Sequence, residues 1–428
     1  MRRKAGFLLL LGVLIVVGCT VNPAPVEDGP TNPPDGLTPS LSSSFIRASG
    51  KVLVVGEGAS SKAIQLRGIN LQNFWLVSPE DPSSPIFNDD EDRGVPIVTL
   101  EPQRYDATVL ANINALNANV IRNAINFRQF EDNANPYVYK QSGWEILDQQ
   151  IALAKQAGLY TIIDLHVPPG GLQGFVGPSA RLWEQSELRN RTKALWRAIA
   201  ERYRDETWVA AYDLINEPMP SRSPSQWASF AQELVDVIRE VDTNHLLIVE
   251  QIVAVVDANG NYPAIDPNDP WIPKVGDDNV MYDFHFYEPV EFVGQGRPET
   301  GQSDDGGVYP DETYEYRDHD GKLLGVRNKS YLKQLLDEKL AFQRKYNVPI
   351  NVGEFSPSRT TFLNGNAKGG LEYTADIISL MNDAGLSYQF FAYLNVFFLD
   401  WEYNETPEYR QISDSLSAVL TEALLQAG

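Results

Sequence analysis

Two glutamates carry the chemistry this chain can do: Glu217 in Tyr212-Asp213-Leu214-Ile215-Asn216-Glu217-Pro218, and Glu354 in Pro349-Ile350-Asn351-Val352-Gly353-Glu354-Phe355. Each closes a short run of strand-like residues just before a loop, so two acids distant in the chain could meet at one rim of a parallel barrel. Such a pair suits cleavage of a glycosidic bond, which needs a proton for a poor leaving group and stabilisation of an oxocarbenium-like centre. At a separation of about 5 to 5.5 Å, one carboxylate can attack the sugar directly and configuration is retained. The two acids must then differ in proton affinity. Glu217 is expected to hold its proton beside an anionic neighbour, and Glu354 to stay ionised if a cation such as Arg122 lies next to it.

The elements that must position them read as a repeated unit. Ser49 to Leu66 reads as a hairpin that would plug the bottom of a barrel, and Gln65 to Asn70 as the first barrel strand. Val109, Ile113 and Leu116 share a helix face, as do Trp144, Leu147 and Ile151 in a helix stopped by Gly158. Further strands are expected at 119–123, 160–166, 209–217, 245–251, 281–287, 349–354 and 387–395, with amphipathic helices between them. That alternation predicts a (β/α)8 TIM barrel. One unit is defective: Val253 to Asn279 is full of Pro, Asp and Asn and shows no fifth helix.

At 428 residues with 43% hydrophobic residues, the chain can bury one large core. Its 35 basic against 57 acidic residues give a net charge of −22, which repels phosphate backbones and excludes nucleic acid as the natural partner. The chain starts with Arg2, Arg3 and Lys4 ahead of an apolar run from Ala5 to Gly18, of signal-peptide length and short for a membrane span. The run stops at Cys19, the one cysteine of the chain, in Val16-Val17-Gly18-Cys19. That tetrapeptide resembles the lipobox of bacterial lipoproteins, so Cys19 is expected to carry a lipid anchor; a plain secretory signal is the alternative. Residues 19–44 are rich in Pro, Ser, Thr, Gly and Asp and are read as a disordered tether, which leaves 45–428 as the catalytic domain. The expected location is outside the cytoplasm.

Taken singly, Asn216-Glu217-Pro218 is a weak motif, because a lone strand-end glutamate more often caps a helix or sits in solvent. Placed on strands four and seven together with Arg122 and His285, the two glutamates resemble the acid/base and the nucleophile of glycoside hydrolase family 5. Leu66-Arg67-Gly68-Ile69-Asn70, Val120-Ile121-Arg122, Asp164-Leu165-His166 and His285-Phe286-Tyr287 extend the likeness over nearly all of the chain after the tether. The resemblance implies that Arg122 holds the nucleophile, that Asn216 binds the sugar 2-hydroxyl, and that His166, His285 and Tyr287 line the central subsite. It also implies an endo-acting hydrolase of β-linked glucans or mannans that works without a metal or other cofactor, expected here as a monomer. A β-1,4-glucan is the first choice of substrate.

Trp75, Trp183 and Trp401 fall in loops after strands one, three and eight, where an indole can stack on a sugar or simply fill the core. The family usually has a tryptophan near the end of strand eight, and Tyr388 to Asn395 has none, so Trp401 is expected to replace it from the loop. In the long segment Pro289 to Asn328, Asp304, Asp305, Asp318 and Asp320 could bind calcium, although without EF-hand spacing they read better as a solvated acidic loop. Two rivals of other classes stay open: a glycan-binding surface lipoprotein without turnover, and a metal-dependent barrel enzyme using His166, His285 and the acids.

Overall fold

The computed structural model describes residues 44–425 apart from 57, 73–75, 78–84, 87–97, 100–104, 174–179, 258, 267, 297–304 and 394–406. The leader, Cys19, nearly all of the tether, Trp75, Asp304 and Trp401 lie outside the described residues.

A small antiparallel sheet comes first, of β1 (Ile46–Ser49), β2 (Val52–Val55) and β3 (Lys62–Ile64). Ile46, Leu53 and Leu66 join Val120, Tyr160, Ile162, Ala210, Leu246 and Met281 in one buried cluster, so this sheet seals the end of the barrel where the strands begin. The expected plug is there, with one strand more than a hairpin.

The first barrel strand is β4 (Arg67–Gln72), followed by the short antiparallel strands β5 (Leu76–Val77), β6 (Pro85–Ile86) and β7 (Val98–Thr99). The other barrel strands are β8 (Val120–Asn126), β9 (Tyr160–Val167), β10 (Val209–Asp213), β11 (Leu246–Glu250) and β12 (Val280–Asp283), then β15 (Ile350–Phe355) and β16 (Ser387–Tyr393). Between the last two groups lies an antiparallel hairpin, β13 (Asp311–Arg317) with β14 (Leu323–Arg327). The eight barrel strands pair in parallel and close in the order β4-β8-β9-β10-β11-β12-β15-β16. Every residue of β8, β9, β10, β11, β12 and β15 is buried, as expected when side chains fill the barrel inside and helices cover it outside.

The covering helices show their pattern plainly. Between β10 and β11, the helix Pro224–Arg239 buries Trp227, Phe230, Ala231, Leu234, Val235 and Ile238 on one face and begins with proline, whose missing N–H costs nothing in a first turn. Helices Gln141–Gln156, Ser186–Tyr203, Lys329–Lys339, Gly370–Asp383 and Pro407–Leu425 follow the same rule. No helix stands among the described residues between β11 and β12. Asp257 accepts the N–H groups of Asn259 and Asn261, and Asp266 accepts that of Asn268, so these side chains take amides a helix would need. The loop still buries Val255, Val256, Ile272 and Val275 in the place a helix would cover.

Two strands are shorter than the sequence suggests. β10 ends at Asp213 and β12 at Asp283, so Glu217, His285 and Tyr287 stand on irregular backbone beyond the sheet. The acidic segment after β12 is also organised differently from a cation cage. Asp305 pairs with Lys368, while Asp318 closes its own hairpin by accepting from Asp320 and Lys322.

Candidate active site

Arg122 organises the centre. It points into the barrel from β8 with no exposed surface, and its three nitrogens reach side chains from five other strands or their ends. Nε donates to Asp213 at 2.9 Å; Nη1 donates to Asn70 and to Glu354 Oε1, both at 3.1 Å. Nη2 donates to Asn216 at 2.9 Å and Glu250 at 2.8 Å, with Asp164 at 3.1 Å. Burial by itself would lower the guanidinium's pKa, but Asp164, Asp213, Glu250 and Glu354 together hold it well above the ordinary value. The cation is permanent, and it fixes one oxygen of Glu354.

The other oxygen of Glu354 accepts from the hydroxyl of Tyr287 at 2.8 Å. Gly353 makes room just before it: a Cβ there would stand 2.7 Å from Asp283 Oδ2. Glu217 is the more open acid, with a quarter of its side chain exposed, and its Oε1 lies 2.9 Å from Nδ1 of His285. The same nitrogen is 3.5 Å from Glu354 Oε2, and an oxygen of each glutamate lies within 4.8 Å of the other and of the imidazole. That approach matches the short spacing of a retaining pair.

Burial and the charge of Glu217 push the Glu354 carboxyl up, against the pull of His285 and Arg122. This departs from the simple expectation that a neighbouring cation keeps Glu354 low. Its hydrogen bonds pull the other way: both Glu354 oxygens accept from committed donors, which favours the ionised form of that residue. His285 loses proton affinity by burial, yet Glu354, Glu250 and Glu217 raise its pKa well above the ordinary histidine value. It is an imidazolium wedged between acids.

Of the other expected residues, Asn216 gives its Oδ1 to Arg122, which turns its amide NH2 away from that cation. His166 is buried with Nδ1 2.7 Å from Asp164. Trp183 is a correction. It is 3% exposed, donates Nε1–H to Gln173 at 2.8 Å and packs edge-on against Trp227 and Phe230, so it fills the helix layer and offers no face to a sugar.

A ring of acids beneath the pair went unread in the sequence. Asp164, Asp213, Glu250 and Asp283 come from four consecutive barrel strands, in register as Asp213 with Asp164 and Glu250 with Asp283. Each is buried at the end of an otherwise apolar run, and that break in the pattern was the available signal. Burial and the charge of Glu250 push Asp213 and Asp283 well up. Glu250 itself is held down at about 2, against the effect of burial, by His285, Arg122 and the Glu217 N–H.

Glu217, His285 and Glu354 are also near enough to share a metal ion. A divalent ion there would have to displace the His285 contact and stand beside the Arg122 guanidinium, so the group fits hydrogen bonding better than metal ligation. His166 belongs to no such cluster among the described residues.

The description Cellulase (glycosyl hydrolase family 5) fits residues 85–395. A β-xylosidase of Phanerodontia chrysosporium is 34% identical over 145 residues, which span 33% of this chain and 30% of that enzyme. Endoglucanase C of Acetivibrio thermocellus is 25% identical over 322 residues, covering 70% of this chain and 86% of the relative. Among solved structures, the endoglucanase Cel5A of Thermotoga maritima matches with a TM-score of 0.57 at 19% identity, over 83% of this chain and 96% of that one. That enzyme has also been solved with cellobiose and with mannotriose.

Proposed function

The chain belongs to glycosyl hydrolase family 5, and from that premise we propose that it is a retaining endo-β-glycanase acting on a β-1,4-glucan. The observation that carries the retaining reading is the short approach of the two glutamates, an oxygen of each lying within 4.8 Å of the other, and the asymmetry between them supports the roles. Glu354 has both oxygens bound to donors, while Glu217 has one oxygen on His285 and stands nearer the solvent. In the first step a Glu354 oxygen bonds to the anomeric carbon as the glycosidic C–O bond breaks, and Glu217 gives its proton to the departing oxygen. In the second step Glu217, now a carboxylate, takes a proton from water as that water's oxygen displaces Glu354 from the sugar. Charge that grows on the ring is met by Glu354, and charge that returns to Glu354 is met by Arg122 and Tyr287.

The substrate reading is supported by the relative from Acetivibrio thermocellus, named an endoglucanase, which this chain matches over most of both lengths. A β-mannan is the second reading, because the structurally similar Thermotoga maritima enzyme was solved with mannotriose as well as cellobiose. Product analysis on cello- and manno-oligosaccharides tests both, with the anomer followed by NMR in the first minutes. The β-anomer appearing first from cello-oligosaccharides is the expected result. The α-anomer appearing first would remove the retaining mechanism, and no turnover on any β-glycan would leave the glycan-binding lipoprotein as the better reading.

The enzyme is further proposed to act outside the cytoplasm of a bacterium, anchored by lipid on Cys19 through the 19–44 tether. Support comes from the cation-led apolar run that stops at that one cysteine. Mass spectrometry of the mature N-terminus tests it: an unmodified chain starting elsewhere would remove the anchor.

A further inference from the structure

We propose that Glu250, at the end of β11, is the positioning residue of the acid/base: it fixes the main chain of Glu217 and sets a negative charge against the far side of the histidine that meets the Glu217 carboxyl. The inference rests on the reading of Glu217 as the general acid.

The main chain of Glu217 needs such a partner. Its φ is +44°, the left-handed region that a residue with a Cβ occupies only at a steric cost. The next residue is Pro218, which has no N–H, so the Glu217 N–H is the donor by which this turn can be held from below. It donates to Glu250 Oε2 at 2.7 Å, the short distance of a charge-assisted bond. Glu250 is in turn immobile. Its Oε1 accepts from Arg122 at 2.8 Å, its side chain is 2% exposed, and its main-chain carbonyl accepts from the indole of Trp227 at 2.8 Å. The Glu217 backbone is thus tied through one carboxylate to the guanidinium that orients Glu354.

The same carboxylate faces the histidine. Glu250 Oε2 is 3.5 Å from His285 Nε2, on the far side of the ring from the Nδ1 that meets Glu217. A negative charge there favours the imidazolium. The groups around Glu250 are Arg122 from β8, Asp164 from β9, Asp213 from β10, Asp283 and His285 from β12 and its extension, and Glu217 itself. Among them Glu250 alone touches both the main chain of the acid/base and, across the ring, its histidine.

The test compares wild type, Glu217→Ala and Glu250→Gln by kcat/KM on two substrates. One is a cello-oligosaccharide, whose leaving group needs a proton; the other is an aryl β-cellobioside with a leaving group that does not. Glu250→Gln keeps the shape and one of the two acceptor oxygens but removes the charge. It should lose about tenfold or more on the oligosaccharide, short of the roughly 10²- to 10⁴-fold that general acid catalysis supplies, and little on the aryl substrate. The alkaline limb of its pH profile should move to lower pH, because without the charge His285 releases its proton more easily. Equal losses on both substrates, or an alkaline limb that does not move, would overturn the inference while Glu217→Ala still shows the leaving-group dependence. If Glu217→Ala itself hydrolyses the oligosaccharide normally, the acid/base reading falls and this inference falls with it. Should Glu250→Gln fail to fold, Glu250→Asp keeps the charge but shortens the reach to the Glu217 N–H, and the ratio of its losses on the two substrates decides in the same way.

Discussion

Tyr287 gives its hydroxyl hydrogen to Oε2 of Glu354 at 2.8 Å, so the carboxylate proposed as the nucleophile is held by one oxygen here and by the other on Arg122. The contact does two things at once. It orients the attacking oxygen, and it stabilises the ionised form of an acid that burial would otherwise protonate.

Tyr287→Phe should therefore lower kcat/KM by about one to two orders of magnitude, the range set by a hydrogen bond of roughly 1.5–3 kcal/mol to a charged group. The sign of the pH effect follows. Glu354 works ionised, losing a donor favours its protonated form, and the acidic limb of the profile should move to higher pH. A variant with an unmoved acidic limb would mean that Tyr287 only shapes the pocket.

Trp183→Ala should cost stability and leave chemistry alone. The indole is buried against Trp227 and Phe230, and removing a core tryptophan typically costs about 3–5 kcal/mol. The melting temperature should fall by several degrees while KM and kcat per folded molecule hold. A selective rise in KM with an unchanged melting temperature would restore the sugar-platform reading.

Misreading Trp183 shows where sequence pattern runs out. An aromatic just past a strand can face the cleft or the helix layer, and only the packing of Trp227 and Phe230 on the helix Pro224–Arg239 decides. The barrel itself was legible, because strands buried on both faces leave unbroken apolar runs such as Leu246 to Val249, and helices leave a period such as Trp227, Phe230 and Leu234. The ends of the elements were not. Leu214, Ile215, Phe284 and Phe286 look like strand residues but lie on irregular backbone that turns Glu217 and His285 inward. Glu217, Glu354 and Arg122 could be found from their motifs. Glu250 could not, because its role depends on meeting a main-chain N–H from another strand's loop.

Asp283→Asn should stabilise the fold near neutral pH. Asp283 is fully buried, and burial together with the charge of Glu250 raises its pKa well above the ordinary carboxylate value. A raised pKa contributes stability that is present below the unfolded value, about 3.9, and is lost as pH rises toward the folded value. Asparagine keeps the acceptor that meets Asn351 at 2.6 Å and has no proton to lose. The melting temperature of the variant should exceed that of wild type by about 2 °C or more at pH 7, with a gap that narrows as pH falls toward 4. A variant less stable than wild type at pH 7 would show that Asp283 is ionised and needed as a charge.

Glu217→Ala separates the two halves of the reaction. Without the acid, natural β-glycans should be cleaved about 10²- to 10⁴-fold more slowly, because their leaving groups cannot depart unprotonated. An aryl glycoside with a good leaving group should still react with Glu354, which keeps Arg122 and Tyr287 in the variant. Its second step should now be slow, since no base remains to draw a proton from water, so a covalent glycosyl-enzyme should build up and be visible as a mass increase on the intact protein. Added azide, which needs no base, should release it as a glycosyl azide of retained configuration. A burst that never appears, or azide that changes nothing, would place the acid/base role on another residue, and His285, 2.9 Å from the missing carboxyl, is where the search would turn.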